Sequence, residues 1–187
     1  MLYTLFLLFI CRGLSLDKFY GIIKFCVEFS SLSLFCIATA SLWGWVLAYY
    51  HIPQLIVAYF DAMGLLSTQL LVFSFVILLF LIMGTFMDAL PAIIIMQPII
   101  GELTLRVGIN PYQMGIVVVL TLAIGLITPP YGLCLLIATR LAKVSVPKVL
   151  KYLIPFFIIS LIVVWVAVFF PNVVLFVPRL LMPRFMR

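Results

Sequence analysis

Charge is what this sequence has least of. Only 9% of its 187 residues are Asp, Glu, Lys or Arg, against roughly 25% in an average soluble domain. Five are acidic, and there is a single histidine. A soluble chain of this length cannot cover its surface with so little polar material. A soluble enzyme, a disordered chain and a nucleic-acid-binding domain are therefore excluded. Cysteine usage narrows the field further. Cys11, Cys26, Cys36 and Cys134 form no CxxC pair and lie in or beside apolar runs. That argues against a disulfide scaffold or a zinc site and predicts small buried apolar residues. The sequence shows no nucleophile–base pair, phosphate loop, cluster of metal ligands or repeat array, and nothing in it points to an enzyme. What it has is apolar: 67% of residues are hydrophobic and the mean hydropathy is +1.42. This is an integral membrane protein embedded in a lipid bilayer.

The runs free of Asp, Glu, Lys and Arg show the organisation: Phe29–Tyr50, Ala62–Met87, Ala89–Gly101, Val107–Thr139 and Tyr152–Pro178. A helix needs roughly 20 residues to cross a bilayer core of about 30 Å, so Phe29–Tyr50 and Tyr152–Phe170 read as ordinary spans. Met1–Cys11 is shorter and lacks both a basic n-region and a cleavage site. It reads as the end of a longer helix. The parts group as 1–66, scaffold helices and an interfacial arm; 67–142, a transport region; and 143–187, a C-terminal span and tail.

Two stretches do not read as ordinary spans. Ala89–Gly101 has 13 residues, about 20 Å of helix, and contains Pro91 and Pro98. With the preceding run and the Gly84–Asp88 turn it predicts a re-entrant helical hairpin. Val107–Thr139 opens on Asn110-Pro111, an N-cap followed by proline at the first helical position. At its centre is Gly125-Leu126-Ile127-Thr128-Pro129-Pro130-Tyr131-Gly132, where two prolines each remove an amide donor. A helix of about 17 residues, a break and a helix of about nine residues are expected. Non-helical backbone at membrane depth persists only where protein or a wet cavity satisfies it. A hairpin beside a broken helix is how secondary transporters build midplane sites. The expected fold class is an all-α integral membrane protein: spanning helices plus a re-entrant hairpin and a broken transmembrane helix, one half of a secondary transporter's site.

The candidate site follows from the break. Na⁺ is a hard cation that favours oxygen ligands, and an unwound turn supplies carbonyls together with the Thr128 hydroxyl. The expected cation ligands are Thr128, Gly125, Pro129, Gly84 and Asp88, with Thr121, Pro130 and Gly132 lining the same cavity. Each has a plainer reading. Asp88 can serve only as a helix N-cap, and the prolines can serve only as a kink. His51, Trp43, Trp45 and Trp165 read as interfacial or packing residues. Gln69 and Gln97 could face a polar cavity, while Glu28 and Asp61 flank spans. The segments Arg12–Lys24 and Arg140–Lys151, read as loops, hold seven basic residues, against Arg106, Arg179, Arg184 and Arg187 opposite. This places both segments in the cytoplasm.

Two further groups of residues carry a family resemblance. The first is Gly84, Phe86, Asp88, Ala92, Ile94 and Pro98-Ile99. The second is Gly108-Ile109, Pro111, Gly115-Ile116-Val117, Ile124-Gly125, Thr128-Pro129-Pro130 and Gly132. In this order they resemble the C-terminal repeat of the large permease subunit of TRAP transporters, the tripartite ATP-independent periplasmic transporters. Thr121 and Cys134 stand where that family commonly has Asn. The resemblance implies part of a Na⁺-coupled importer of organic acids such as C4-dicarboxylates or acidic sugars, with no cofactor beyond the coupling ion. It also implies a periplasmic substrate-binding protein, a small membrane subunit and a bacterial inner membrane. A Ser-rich first-repeat hairpin is not found in this sequence, so a fragment, a split subunit or a truncated frame is expected. The alternative is a remnant or membrane assembly protein of the same family that does not transport.

Overall fold

The computed structural model describes residues 16–64, 66–129 and 132–181. Among them are eight helices and no strand: α1 (Leu16–Tyr49), α2 (Ile52–Ala62), α3 (Gln69–Phe86), α4 (Ala89–Val107), α5 (Pro111–Gly125), α6 (Leu133–Ala142), α7 (Val146–Phe169) and α8 (Pro171–Leu181). The segments Met1–Cys11 and the Pro130 position lie outside the described residues.

Residues up to Thr39 form one unit and those from Ala40 another. In the first unit, the segment read as the loop Arg12–Lys24 is corrected: from Leu16 onward it is helix. Lys24 and Glu28 pair at 3.9 Å across one turn, a spacing worth a few tenths of a kcal/mol at about 0.2–0.5. The charges that suggested a loop are accommodated on an exposed helical face. Tyr20, Phe25, Leu34 and Phe35 are exposed large apolar residues of the same helix.

In the second unit, Tyr50 and His51 separate the end of α1 from α2, and the two segments bend by 62°. His51 takes the left-handed conformation at φ 53°. Pro53 inside the first turn of α2 tolerates its missing amide there. α3 and α4 are joined only by Met87 and Asp88, forming the expected hairpin. The second arm is longer than expected, at 19 residues. The apolar run ends at Gly101, but Glu102 and Arg106 continue the helix in its last turns. It stops at Gly108, where the amides of Gly108 and Ile109 return to Leu105 and Thr104. Absence of charge measured the lipid-compatible stretch, not the helix. Both arms are long and apolar enough to cross a membrane, so length does not separate a re-entrant arm from a span. Pro98 lies inside α4 and brings no amide to the Ile94 carbonyl one turn earlier. Gly44 of α1 comes against that carbonyl: a Cβ at Gly44 would lie 3.2 Å from the Ile94 oxygen.

The core explains the arrangement. On α5, Met114, Val117, Val118, Thr121, Leu122 and Gly125 are buried, a stripe at three- and four-residue spacing. On α3, Val72, Phe73, Val76, Ile77, Phe80 and Gly84 repeat that spacing. These stripes meet, and α5 also packs on α4, α7 and α8. The outer surface is apolar too. Phe156, Ile159, Ile162 and Phe169 of α7 are exposed, which is the surface a lipid-solvated helix presents. The cysteine expectation is corrected for the same reason. Cys36 and Cys134 are exposed and Cys26 half-buried, all with free thiols. An apolar residue facing lipid has no need of burial in protein.

Candidate functional site

The broken helix is present. α5 ends at Gly125, α6 begins at Leu133, and both are too short to cross a membrane alone. Asn110 starts α5 as expected: its Oδ1 accepts from the amides of Tyr112 and Gln113 at 3.0 and 3.5 Å. The described turn after Gly125 is closed by local bonds. The amide of Thr128 donates to Gly125 O at 2.9 Å, and that of Ile127 to Ile124 O at 3.1 Å. The amide of Cys134 reaches back to Leu126 O at 3.1 Å, tying the two half-helices together. Among the described residues, no backbone donor is placed on the carbonyls of Ile127 and Thr128. Gly132, at φ 27° and ψ 88°, folds over the turn. A Cβ on it would lie 2.7 Å from Thr128 O and 3.0 Å from Leu126 O.

Thr128 is half-buried, and its hydroxyl donates to Ile124 O at 2.7 Å. A hydroxyl has one proton and two acceptor lone pairs. With the proton directed to the helix, the lone pairs remain available to a cation. Thr121 is arranged differently. It is 1% exposed, and its hydroxyl donates to Val117 O at 2.7 Å inside the packed stripe of α5.

The hairpin and the break meet at two glycines. A Cβ on Gly84 would lie 2.9 Å from the Gly125 Cα, and one on Gly125 would lie 2.7 Å from the Gly84 Cα. Here the α3 and α5 backbones touch, as small residues permit between membrane helices. Thr121 and Gly125 supply the small pair four residues apart on α5. Gly84, Gly125 and Thr128 thus form one continuous backbone region, with Gly132 closing over it. Asp88 stands apart. It is exposed, and its Oδ1 accepts from the Ala89 amide at 2.8 Å, which is the capping role. Pro129 is exposed and, with Thr128, edges a cleft of about 220 Å³ against Leu150, Leu153, Ile154 and Phe157 of α7.

Gln69 is exposed at the start of α3. Gln97 edges a hollow of about 410 Å³ between α4 and α5 that is otherwise lined mainly by apolar residues such as Phe80, Ile93, Met114 and Val118. Asp61, at the end of α2, pairs with Arg106 at 3.3 Å. Trp45 stacks on Tyr49 at 5.3 Å between ring centres, and Trp165 on Phe169 at 5.7 Å. Among the described residues, no group of three or more His, Cys, Asp or Glu gathers.

The residue that sequence reasoning missed is Gln113. It is 7% exposed, and its Nε2 donates to the carbonyls of Ala167 and Val168 at 3.1 and 3.0 Å. The end of α7 has unsatisfied carbonyls, as every helix C-terminus does, and α5 supplies their donor. Gln113→Leu leaves two buried carbonyls bare and should cost about 1–3 kcal/mol. Thermal unfolding in detergent would read this as a lowered midpoint; an unchanged midpoint would show that the bonds contribute nothing.

Comparison with known proteins bears on the same region. A family model described as "Tripartite ATP-independent periplasmic transporter, DctM component" matches residues 1–173. The YgiK protein of Salmonella typhimurium is 33% identical over 183 residues, covering 98% of this chain and 42% of that protein. The sialic acid TRAP transporter large permease protein SiaM of Vibrio cholerae is 28% identical, covering 96% and 42% respectively. The C4-dicarboxylate TRAP transporter large permease protein DctM of Pseudomonas aeruginosa is 30% identical, covering 92% and 40%. The chain therefore spans about two-fifths of the length of these relatives.

Proposed function

The chain belongs to the DctM component family of the tripartite ATP-independent periplasmic transporters, and from that membership we propose that it forms the ion-binding half of a Na⁺-coupled organic-acid importer. The observation that carries this reading is the helix break. Two half-helices end within a membrane-embedded chain, and the carbonyls of Ile127 and Thr128 take no donor among the described residues. Carbonyls at the C-terminal end of a half-helix, where the macrodipole is negative, favour a cation. The Thr128 oxygen keeps its lone pairs for the same ion. Gly84 and Gly125 join the hairpin arm to the break, so an ion ordering the turn would act on both.

Relatives named for sialic acid and C4-dicarboxylates support an anionic organic substrate. The half-helix α6 turns its N-terminal, positive end toward the break, where such an anion is favoured. Import by this family's design would engage a periplasmic substrate-binding protein and a small membrane subunit. The chain would lie in a bacterial inner membrane with its basic 140–151 segment in the cytoplasm.

The test is Thr128→Val in the full-length transporter, reconstituted in vesicles. Losing one of several oxygen ligands should raise the Na⁺ concentration for half-maximal uptake by about tenfold, the equivalent of roughly 1.4 kcal/mol. The protein yield should not change, because valine fills the same volume. Uptake with unchanged Na⁺ dependence would remove Thr128 from the site and leave the break a mere kink.

A further inference from the structure

The turn between α6 and α7 and the helix ends that flank it carry Arg140, Lys143, Lys148 and Lys151. All four are exposed. None makes a side-chain hydrogen bond or ion pair among the described residues; the two ion pairs there are Lys24–Glu28 and Asp61–Arg106. No Asp or Glu follows Glu102 in the sequence. Spacing concentrates the charge. Arg140 lies in the last turn of α6 and Lys143 ends it, while Lys148 and Lys151, three apart in the first turns of α7, share a helix face.

Two details go beyond a simple excess of positive charge. Lys143 sits in the left-handed conformation at φ 52° and ψ 37°, ending α6 where glycine would carry no Cβ strain. The apolar neighbours are equally exposed: Leu141 is 81% exposed, Tyr152 74% and Phe156 66%. Positive groups interleaved with bare apolar side chains match a ligand with an anionic head and a hydrocarbon tail. A free phosphate would leave Leu141 and Phe156 uncovered. An acidic protein face would meet them only if it were itself apolar.

We propose that the α6–α7 turn is a binding surface for anionic phospholipid, with the four basic side chains on the headgroup phosphate and Leu141, Tyr152 and Phe156 along the acyl chains. Each Lys or Arg near an anionic bilayer surface contributes about a fivefold preference. The surface stands whether or not the break binds Na⁺.

Native mass spectrometry of the full chain in detergent, with phosphatidylglycerol and phosphatidylcholine titrated separately, tests this. Bound phosphatidylglycerol should outnumber phosphatidylcholine. The Lys148→Gln/Lys151→Gln variant should lower that preference about 25-fold, the product of two such contributions. Lys148→Arg/Lys151→Arg should retain it, which guards against a variant that merely misfolds, and Arg179→Gln should leave it unchanged. Glycerol 3-phosphate should not compete. Equal binding of the two lipids would overturn the proposal, as would a preference surviving the Gln variant. Competition by glycerol 3-phosphate would make the site a phosphate site. Loss of a membrane partner from the Gln variant with lipid preference intact would assign the charge to protein contact instead, and the proposal would fall.

Discussion

Gly125→Val should leave little folded protein, and Gly125→Ala should already lower the unfolding midpoint sharply. The reason is geometric. The added Cβ would stand 2.7 Å from the Gly84 Cα, 3.1 Å from the Gly84 carbonyl carbon and 3.1 Å from Leu81 O. All three atoms are backbone, so no rotamer change relieves the clash; α3 itself has to move. Overpacking a tight core by one or two carbons typically costs about 1–3 kcal/mol, and the rigid backbone here places alanine at the upper end and valine beyond it. Gly115→Ala is the control on the same helix, because a Cβ there meets nothing within 4 Å. That variant should be neutral or stabilised by up to about 1 kcal/mol through helix propensity. Thermal unfolding of the full-length transporter in detergent compares them. If Gly125→Ala unfolds with Gly115→Ala, the helices are not in backbone contact.

The second large effect is on transport. Gly132→Ala puts a methyl group 2.7 Å from Thr128 O, at a φ of 27° that a side chain adopts only under strain. The turn must either open or swing the Thr128 carbonyl away. Strain of this kind amounts to about 1–3 kcal/mol, and if it falls on the ion-binding turn, uptake at low Na⁺ should drop by about ten- to a hundredfold. The packed face of α5 does not involve Gly132, so membrane insertion and yield should persist. Uptake matching the parent at limiting Na⁺ would show that the turn takes no part in coupling. A collapse in yield would place Gly132 among the residues that hold the fold.

How far the sequence reaches is visible residue by residue. Thr128-Pro129-Pro130 announces the break because proline removes a donor wherever it stands. Asn110-Pro111 and Asp88 announce helix starts because capping is local chemistry. The end of α4 was misplaced because charge-free length tracks lipid compatibility, whereas Gly108 and the amides around it terminate the helix. Gln113 was invisible for another reason. A glutamine in the first turn of a helix reads as solvated, and its acceptors lie 54 and 55 positions away. Gly84 and Gly125 were expected at one site, and they do meet; that they meet backbone to backbone, with no room for a Cβ, was not legible, because it depends on how closely two helices approach. Asp88 displays the capping role that its position announced, exposed and bonded to Ala89.

The pairing of Gly44 with the Ile94 carbonyl bears on how the chain is made. Synthesis runs from the N-terminus, so Gly44 leaves the ribosome fifty residues ahead of Ile94. Pro98 guarantees that α4 enters the bilayer with one rung of its ladder open, and a bare carbonyl in hydrocarbon is costly. The open rung meets a helix already made, whose glycine lets its backbone come close. The carbonyl that Pro98 leaves without its usual donor thus faces a helix made earlier, at a position where any side chain would have crowded it.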